Sequence, residues 1–434
     1  MAEDGSQAFG KLSPWAEPAW CHGVASPYYN DSHRRLRDAL RAYVDEHILP
    51  HALEWEKKGE APREETLKWS RSGFAFTDVP PKYRPRDIPG AAGIPVEDLD
   101  VFHLLVHTDE TSRIEGGVIT SLSGASVIGI PPVIHHGTEE QKAKWLPGLF
   151  DLSTNFCLGI TEPSGGSDVA NVKTTAEKTP DGRYYIVNGW KKWITGAPWA
   201  THMTAAVRTG SSGMGGLSVL VIPMNSKGLT WRKIENSGQN AGGSSFIELD
   251  DVKVPVENLL GQEGKGFPII MTNFNRERYI MAVACNRKSR TCLSLSLEYA
   301  SQRETFGKPL ITNQIISHKF ATLARYVESH WSFLEAIAYA VQVSPKGWQD
   351  PDVAGRIALA KVQGGRMLEM ANREAQQVFG GAGYQKGGPA GGAVIEQMSR
   401  DLRMMVVGGG SEEIISDLAV RQEVARAKRR GWKL

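Results

Sequence analysis

The sequence has few cysteines, no dominant charge and no long apolar run. Its 434 residues include four cysteines, and their spacing forms neither a CxxC pair nor a disulfide framework. The 50 basic and 48 acidic side chains leave a formal charge of +2, which argues against a polyanionic partner such as nucleic acid. No uninterrupted apolar run is long enough to span a bilayer. We therefore expect no disulfide scaffold, no nucleic-acid partner and no membrane span.

The residues at the two chain ends bear on where the protein is expected to be located. Met1–Gly5 is acidic, unlike an Arg-rich transit peptide or a secretory signal, so a cytoplasmic location is expected. The C-terminal Trp432-Lys433-Leu434 ends like a peroxisomal signal, but Trp432 stands where a small residue is usual. The peroxisomal matrix is the alternative location.

Apolar periodicity divides the chain into helix, sheet and helix. Residues 1–26 lack periodicity and are predicted to form an N-terminal extension, whereas Asp31 and Ser32 are candidate N-caps of an amphipathic helix. Thr138 is the predicted cap of a helix that contains Gln141. Long helical patterns return over 263–434, and we predict an α+β, multi-domain fold with helical residues 27–155 and a strand-rich domain over 156–262. Its strands are predicted at Met203–Arg208, Leu217–Pro223, Leu229–Ile234 and Phe246–Val254.

The stretch from Cys157 to Thr195 is the most distinctive part of the sequence. It begins with the loop ITEPSGGSD at 160–168, whose hydroxyls and glycines can bring backbone N–H groups against an anionic ligand. It ends with two strand-like runs separated by Asn188-Gly189, the dipeptide typical of a hairpin turn. A surface turn followed by an ordinary hairpin is the structural explanation of the same residues.

Taken together, TEPSGGSD and NGWKKWIT resemble the flavin-binding segments of the acyl-CoA dehydrogenase family. The resemblance covers about residues 30 to 425 through further motifs, namely GTEEQKAKWLP at 137–147, DDVKVPVENLLG at 250–261, RETFGKPL at 303–310, QVFGG at 377–381 and RD at 400–401. It implies an N-terminal helical domain, a middle β-barrel and a C-terminal four-helix bundle. It also implies FAD as cofactor and a homotetramer built as a dimer of dimers.

The resemblance assigns cofactor-binding residues as well. In the middle domain it implies that FAD contacts Ile160, Thr161, Gly166, Ser167, Trp193 and Thr195, and Ser411 is implied near the C terminus. A neighbouring subunit is implied to complete the site with Arg303, Phe306, Gln314, Gln377, Gly380 and Gly381. Hydroxyl and N–H donors suit the acceptor-rich isoalloxazine, and a guanidinium binds phosphate through two N–H groups. The alternative for Arg303 is a solvated arginine at a helix end.

The position of the catalytic base departs from the commonest family pattern. Many members carry a glutamate near the C terminus, and counting from Arg400-Asp401 places Gly409 there. In a second arrangement, that of isovaleryl- and long-chain acyl-CoA dehydrogenases, the base precedes an arginine on the first long helix of the C-terminal bundle. The matching dipeptide is Glu277-Arg278, so Glu277 is the predicted base, on a helical stripe that would desolvate its carboxylate. The competing interpretation is a solvated charge cluster with Arg276 and Arg278.

The activity that the resemblance implies is α,β-dehydrogenation of an acyl-CoA. Glu277 would take the α-proton while the β-hydride passes to flavin N5, and the backbone of Gly409 and Gly410 would support the thioester oxygen. Arg278 is the predicted substrate contact. An electron-transfer flavoprotein or another electron acceptor would reoxidise the enzyme.

Two other functions stay open. A flavin oxidase with the same fold would use oxygen, on an acyl-CoA or on a substrate without CoA. An inactive flavoprotein would have a binding role, for example through the basic tail 426–433, although the balanced charge argues against nucleic acid.

Other charged residues and histidines have structural explanations. Glu412 and Glu413 are predicted first-turn residues of a helix, and Glu162 is a predicted structural acceptor. His135-His136 is a predicted loop pair without metal-ligand spacing, so no metal is expected.

Overall fold

The computed structural model describes residues 9–433 and divides into two compact units. Unit 1 comprises the described residues of 1–46 together with 100–115 and 278–433, and unit 2 comprises 47–99 and 116–277. The acidic start Met1–Gly5 and the final Leu434, on which the targeting predictions depend, lie outside the described residues. Within 9–433, no helix has both the length and the apolar character needed to cross a membrane.

Helices precede and follow one sheet, which confirms the predicted α+β fold class. The helices before the sheet are α1 (Asp31–His47), α2 (Ala52–Lys58), α3 (Arg63–Arg71), α4 (Val101–Thr111), α5 (Val118–Ser123), α6 (Ser126–Gly129), α7 (Pro131–His136) and α8 (Glu139–Trp145). The strands are β1 (Phe156–Gly159), β2 (Thr175–Lys178), β3 (Tyr184–Ile194), β4 (His202–Arg208), β5 (Leu217–Pro223), β6 (Leu229–Lys233), β7 (Ser245–Pro255) and β8 (Leu259–Leu260). The chain then forms α9 (Gly266–Thr272), α10 (Phe274–Gln302), the short strands β9 (Glu304–Thr305) and β10 (Lys308–Pro309), α11 (Gln314–Val343), α12 (Pro351–Phe379), α13 (Gly392–Val407) and α14 (Glu412–Arg429).

The sheet of unit 2 wraps around one apolar core. Its strand order is β6-β7-β3-β2-β4-β5-β8, with β1 beside β4, and all pairs are antiparallel except β1–β4 and β2–β4. Buried side chains from opposite parts of this path, such as Tyr185, Ile247 and Leu220, belong to the same core cluster. The four strands predicted after residue 200 are confirmed to within one residue at each end.

The hairpin predicted at Asn188-Gly189 is wrong. β3 continues through both residues and pairs along its length with β7, and both strands have eleven residues. A register shift and a φ of +145° at Gly189 mark a bulge. The Asn188 amide donates to Asp251 Oδ1 at 3.0 Å and accepts from the Asp251 N–H at 2.8 Å. Pairing with a distant strand therefore outweighs the local turn preference.

The two predicted helix caps have different outcomes. Thr138 caps α8 as predicted, because its hydroxyl accepts from the Gln141 N–H at 3.2 Å. At α1 the cap is Asn30, whose Oδ1 accepts from the Ser32 N–H at 2.9 Å. The predicted caps Asp31 and Ser32 are wrong, since both lie inside the helix.

The C-terminal helices form the predicted bundle. Leu293, Leu323, Leu368 and Ile395, one from each of α10 to α13, lie in a single core cluster. Cys285 and Cys292 belong to the same cluster as buried free thiols, in agreement with their spacing on one helical face. A fifth helix, α14, packs against α12 through Ile415, Ala419 and Ala358.

Residues 9–22 pack into unit 1 although they have no helical periodicity. Trp20 stacks on Tyr29 with ring centroids 4.0 Å apart, and the Arg37 guanidinium lies 3.6 Å from the Phe9 ring centroid. Glu17 is buried and paired with arginines of unit 1. Specific side-chain contacts, which periodicity does not reveal, hold this segment.

Candidate functional site

The loop after β1 is attached to the irregular end of β3. The Lys192 N–H donates to the Thr161 carbonyl at 2.9 Å. The pairing of β3 with β7 is interrupted between Lys191 and Ile194, and Trp193 within this interruption has a φ of +63°. This conformation is costly for a bulky aromatic residue, and the Trp193 side chain is 51% exposed. The bulge brings two predicted cofactor segments side by side, and the role of Trp193 stays a prediction.

A buried ion pair links the loop to β3. Lys191 is fully buried, and its Nζ donates to Glu162 Oε1 at 2.9 Å and to the Ala206 carbonyl at 2.7 Å. Glu162 also accepts from the N–H groups of Lys173 at 2.7 Å and Thr174 at 2.9 Å. Burial lowers the pKa of Lys191 to about 8, although the negative charge of Glu162 acts in the opposite direction and raises it. Burial by itself would raise the pKa of Glu162, but Lys191 and Thr174 hold that pKa below its ordinary value.

Replacing Lys191 by methionine tests this ion pair. We expect Lys191→Met to lower the free energy of unfolding by about 3–5 kcal/mol, because Glu162 loses its counter-charge in a buried site. Urea denaturation of the purified protein measures the loss. The double variant Lys191→Met, Glu162→Gln should recover a large part of it, since neutral groups replace both charges. A loss below about 1 kcal/mol in the single variant would mean that the pair behaves like an exposed one.

The loop and the strand end leave an open polar surface. A Cβ added to Gly165 would meet nothing within 4 Å, and one added to Gly166 would meet only the Thr161 methyl group, at 3.6 Å. Ser167 is exposed, and Thr161 and Thr195 are half-buried. Hydroxyl groups beside glycine backbone match the acceptors of a flavin ring and a pyrophosphate. These residues therefore fit FAD.

A small cavity in unit 2 contains a carboxylate and the first residue of the loop. Glu277 and Ile160 both line it. The remaining lining residues, all uncharged, are Ile128, Pro132, Leu158, Thr204, Ala206, Val219, Ile270 and Asn273. Among the described residues that line the cavity, Glu277 is the only ionisable group. The packing thus brings the predicted base and a predicted flavin contact to one apolar space.

Glu277 lies in the first turn of α10 and is partly buried. Its Oε1 accepts a hydrogen bond from Asn273 Nδ2 at 2.6 Å. The neighbouring Arg276 pairs with Asp78 at 2.5 Å. Because Glu277 lines an apolar cavity, its interpretation as the base is favoured over its interpretation as part of a solvated charge cluster. The catalytic role itself stays a prediction.

A glycine turn in unit 1 occupies the alternative position of the base. Gly409 has a φ of +67°, and a Cβ there would lie 2.9 Å from Met281 Sδ. The Gly409 carbonyl accepts from Arg278 Nε at 3.1 Å, and the Gly410 carbonyl accepts from Lys361 Nζ at 2.8 Å. Two buried cations therefore fix the backbone that is predicted to support the thioester. Arg278, the predicted substrate contact, is engaged with this turn.

The residues predicted to reach a neighbouring subunit are exposed on unit 1. β9 and β10 form a hairpin whose turn carries Phe306 with a φ of +52° and a fully exposed side chain. Arg303 precedes the hairpin, and its carbonyl accepts from the Leu310 N–H at 2.7 Å. Also exposed are Gln314, Gln377, Gly380 and Gly381. Phe306 is thus a fully exposed aromatic residue with a costly backbone conformation, and its contact with a neighbouring subunit stays a prediction.

The other candidate groups have structural partners. Glu412 follows the helix-start residue Ser411 and pairs with Arg366 at 2.7 Å, and this hydrogen bond holds the pKa of Glu412 below its ordinary value. His135 and His136 end helix α7, so the predicted loop position is wrong. Burial lowers the pKa of both histidines.

One group of metal-ligating side-chain types is not apparent from the sequence pattern. The ligand atoms of His33, Asp100 and His103 lie within 4.8 Å of one another. His33 contacts Asp100 Oδ1 through Nε2 and the Asn30 N–H through Nδ1, both at 3.0 Å. His103 contacts the Asp100 N–H through Nδ1 at 3.1 Å and Ser32 Oγ through Nε2 at 3.0 Å. Each ring nitrogen has a hydrogen-bond partner, and the capping box Asp-x-x-His at α4 explains the group.

Three family models match successive parts of the chain. Residues 30–152 match the acyl-CoA dehydrogenase N-terminal domain, residues 157–252 the acyl-CoA dehydrogenase middle domain, and residues 264–423 the acyl-CoA dehydrogenase C-terminal domain. The matched segments follow the order helix, sheet and helix.

Individual proteins are similar over nearly the whole chain. A protein named acyl-CoA dehydrogenase apdG from Emericella nidulans is 41% identical over 428 residues, which are 97% of each chain. The crystal structure of acyl-CoA dehydrogenase from Geobacillus kaustophilus has a TM-score of 0.81 at 29% identity and covers 92% of this chain and 100% of that one. An acyl-CoA dehydrogenase from Bacillus anthracis, solved in complex with FAD, has a TM-score of 0.81 at 27% identity over 94% of this chain and 69% of that one.

Proposed function

Because the chain belongs to the acyl-CoA dehydrogenase family, we propose that it catalyses the FAD-dependent α,β-dehydrogenation of an acyl-CoA. The observation that carries this proposal is that Glu277 and Ile160, the first residue of the predicted flavin-binding loop, line the same apolar cavity. A carboxylate that lines an apolar cavity is suited to accept a proton from carbon, because its partial desolvation makes it a stronger base.

The proposed roles of the residues are those that the family resemblance implies. The Glu277 carboxylate takes the α-proton of the acyl thioester, and the N–H groups of the turn at Gly409 and Gly410 support the thioester oxygen while negative charge develops on it. The loop hydroxyls, the glycine backbone and Trp193 would hold FAD, which would supply the acceptor for the β-hydride. Loss of a proton and a hydride leaves a double bond between the α- and β-carbons. An electron-transfer flavoprotein is the proposed electron acceptor.

An anaerobic substrate screen tests the proposal. The FAD-loaded protein is mixed with butyryl-CoA, isovaleryl-CoA, octanoyl-CoA and palmitoyl-CoA, and flavin absorbance and products are followed. Bleaching by at least one of them, with an enoyl-CoA found by mass spectrometry, supports the dehydrogenation. Bleaching by none of the panel would contradict it. Rapid reoxidation of the bleached protein by oxygen would indicate the oxidase instead.

The exposed hairpin of unit 1 leads to a prediction about assembly. We propose a homo-oligomer in which Arg303 binds the FAD pyrophosphate of a neighbouring subunit. Arg303→Ala should then weaken FAD binding about 10-fold to 100-fold, the range for a lost hydrogen bond to a charged group, and also destabilise the oligomer. FAD titration and light scattering after gel filtration measure the two effects.

A matched control for this prediction is available in unit 2. Arg183 is an exposed arginine in the turn between β2 and β3, and its side chain is 74% exposed. Arg183→Ala should change neither FAD binding nor assembly. Full FAD affinity and a normal assembly state in Arg303→Ala would refute the cross-subunit contact.

A further inference from the structure

We propose that Asn273 is a positioning residue that keeps the Glu277 carboxylate ionised and correctly oriented for proton abstraction. The inference rests on the proposed function, because it assumes that Glu277 is the base.

Asn273 holds Glu277 by both its side chain and its backbone. It lies between the end of α9 at Thr272 and the start of α10 at Phe274, and it is only 5% exposed. Its carbonyl accepts from the Glu277 N–H at 3.0 Å, and its Nδ2 donates to Glu277 Oε1 at 2.6 Å. One buried residue thus fixes both the first turn of the helix and the direction of the carboxylate.

The chemistry of the amide explains why an asparagine suits this position. The cavity walls are otherwise apolar or hydroxyl side chains, and such walls disfavour a charged carboxylate. An amide N–H that donates to the carboxylate favours the charged form, and unlike an ammonium or an imidazolium it does not titrate. A leucine would complete the apolar wall, whereas the asparagine amide offsets part of the desolvation of the carboxylate.

The charged groups on the surrounding elements have other partners. Arg276 pairs with Asp78, Arg278 donates to the Gly409 carbonyl, and Lys191 of β3 pairs with Glu162. On α7, burial lowers the pKa of His135 and His136 and so disfavours their charged forms. The effect of Asn273 on Glu277 can therefore be compared between variants that share these charged groups.

The test compares the pH profile of flavin reduction in variants of the FAD-loaded protein. The substrate is the acyl-CoA of the panel that reduces the wild-type flavin fastest. The acid limb of the profile is the pH range in which the rate falls as Glu277 becomes protonated, and Asn273→Leu should move it to higher pH by about 1–2 units. A shift of this size is equivalent to the loss of one hydrogen bond to a charged group. Asn273→Asp keeps the shape but places a second carboxylate beside Glu277, so its acid limb should move at least as far. Thr272→Ser, which changes the adjacent residue but keeps the hydroxyl that contacts His136 Nε2 at 3.1 Å, should leave the limb unchanged. Asn273→Ser provides the same comparison if Asn273→Leu does not fold.

A second measurement does not depend on turnover. The infrared carboxyl band of Glu277, identified by its absence in Glu277→Gln, is titrated in the FAD-loaded protein without substrate. It should show the same upward shift in Asn273→Leu. This inference would be overturned if the Asn273 variants had the acid limb and the infrared titration of the wild type while Glu277→Gln was inactive. The proposed function would then stay intact. Normal flavin reduction in Glu277→Gln would overturn both.

Discussion

Replacing Glu277 by glutamine should slow flavin reduction by about a hundredfold to ten-thousandfold, the usual scale for the loss of a general base. Glutamine keeps the size of the side chain, but its amide cannot accept the α-proton at neutral pH. FAD should stay bound, because the residues predicted to bind it do not include Glu277. Anaerobic stopped-flow measurement of flavin bleaching gives the rate, and titration with FAD gives the occupancy.

Glu248→Gln is the matched control for this variant. Glu248 lies exposed on β7, so its replacement should leave flavin reduction at the wild-type rate. Near-normal flavin reduction in Glu277→Gln with the true substrate would refute the assignment of the base.

A glutamate at the other family position should not rescue the variant. Gly409 has a left-handed φ of +67°, and a side chain there would meet Met281 Sδ at 2.9 Å. Adding Gly409→Glu to Glu277→Gln should therefore strain the turn instead of restoring the reaction.

The sequence predicted those parts of the site that depend on local residue patterns. The strands after residue 200 consist of alternating or continuous apolar residues between glycine-rich turns, so the sequence predicts them. It also predicts the cap of α8, because this cap is a local hydrogen-bond motif. Asn188-Gly189 has an equally clear local pattern, yet β3 passes straight through it. The partner that decides this outcome is β7, about sixty residues further along the chain, and no local pattern contains that information.

The cavity and its polar contact could not be predicted from the sequence. Glu277 was identified through the resemblance to a family, but its neighbour Ile160 is more than a hundred residues away in the sequence. Asn273 precedes Glu277 by one helical turn, a spacing that many residue pairs share without any contact. Only the packing of helices against strands shows that the space around this pair is apolar.

The charged centre of unit 1 depends on a residue from the aperiodic N-terminal segment. Glu17 is 4% exposed and pairs with Arg41 at 2.9 Å and with Arg287 at 2.8 Å. Arg41 also binds Glu110 at 2.5 Å, and Arg287 also binds Asp109. Because these groups are buried, each charge depends on its partners for compensation.

Replacing Glu17 by glutamine should therefore lower the free energy of unfolding by about 3–5 kcal/mol, the cost of breaking a buried ion pair from one side. Urea denaturation of the full-length protein at pH 7 measures it. Glu298→Gln is the control, because Glu298 pairs with Lys11 of the same segment at 3.2 Å while 35% exposed. Its cost should stay below about 1 kcal/mol. Equal costs for the two variants would show that Glu17 does not act as a buried charge.

The stability difference between the wild type and Glu17→Gln should depend on pH. Burial would raise the pKa of Glu17, but the charges of Arg287 and Arg41 hold it well below its ordinary value of 4.5. A carboxylate whose pKa is lower in the folded state stabilises the protein above its unfolded pKa, and this contribution is lost as the pH falls. The stability difference between wild type and Glu17→Gln should therefore be full at pH 7 and shrink as the pH falls below about 5. A difference of the same size at pH 7 and at pH 3 would contradict an ionised Glu17 in the folded protein.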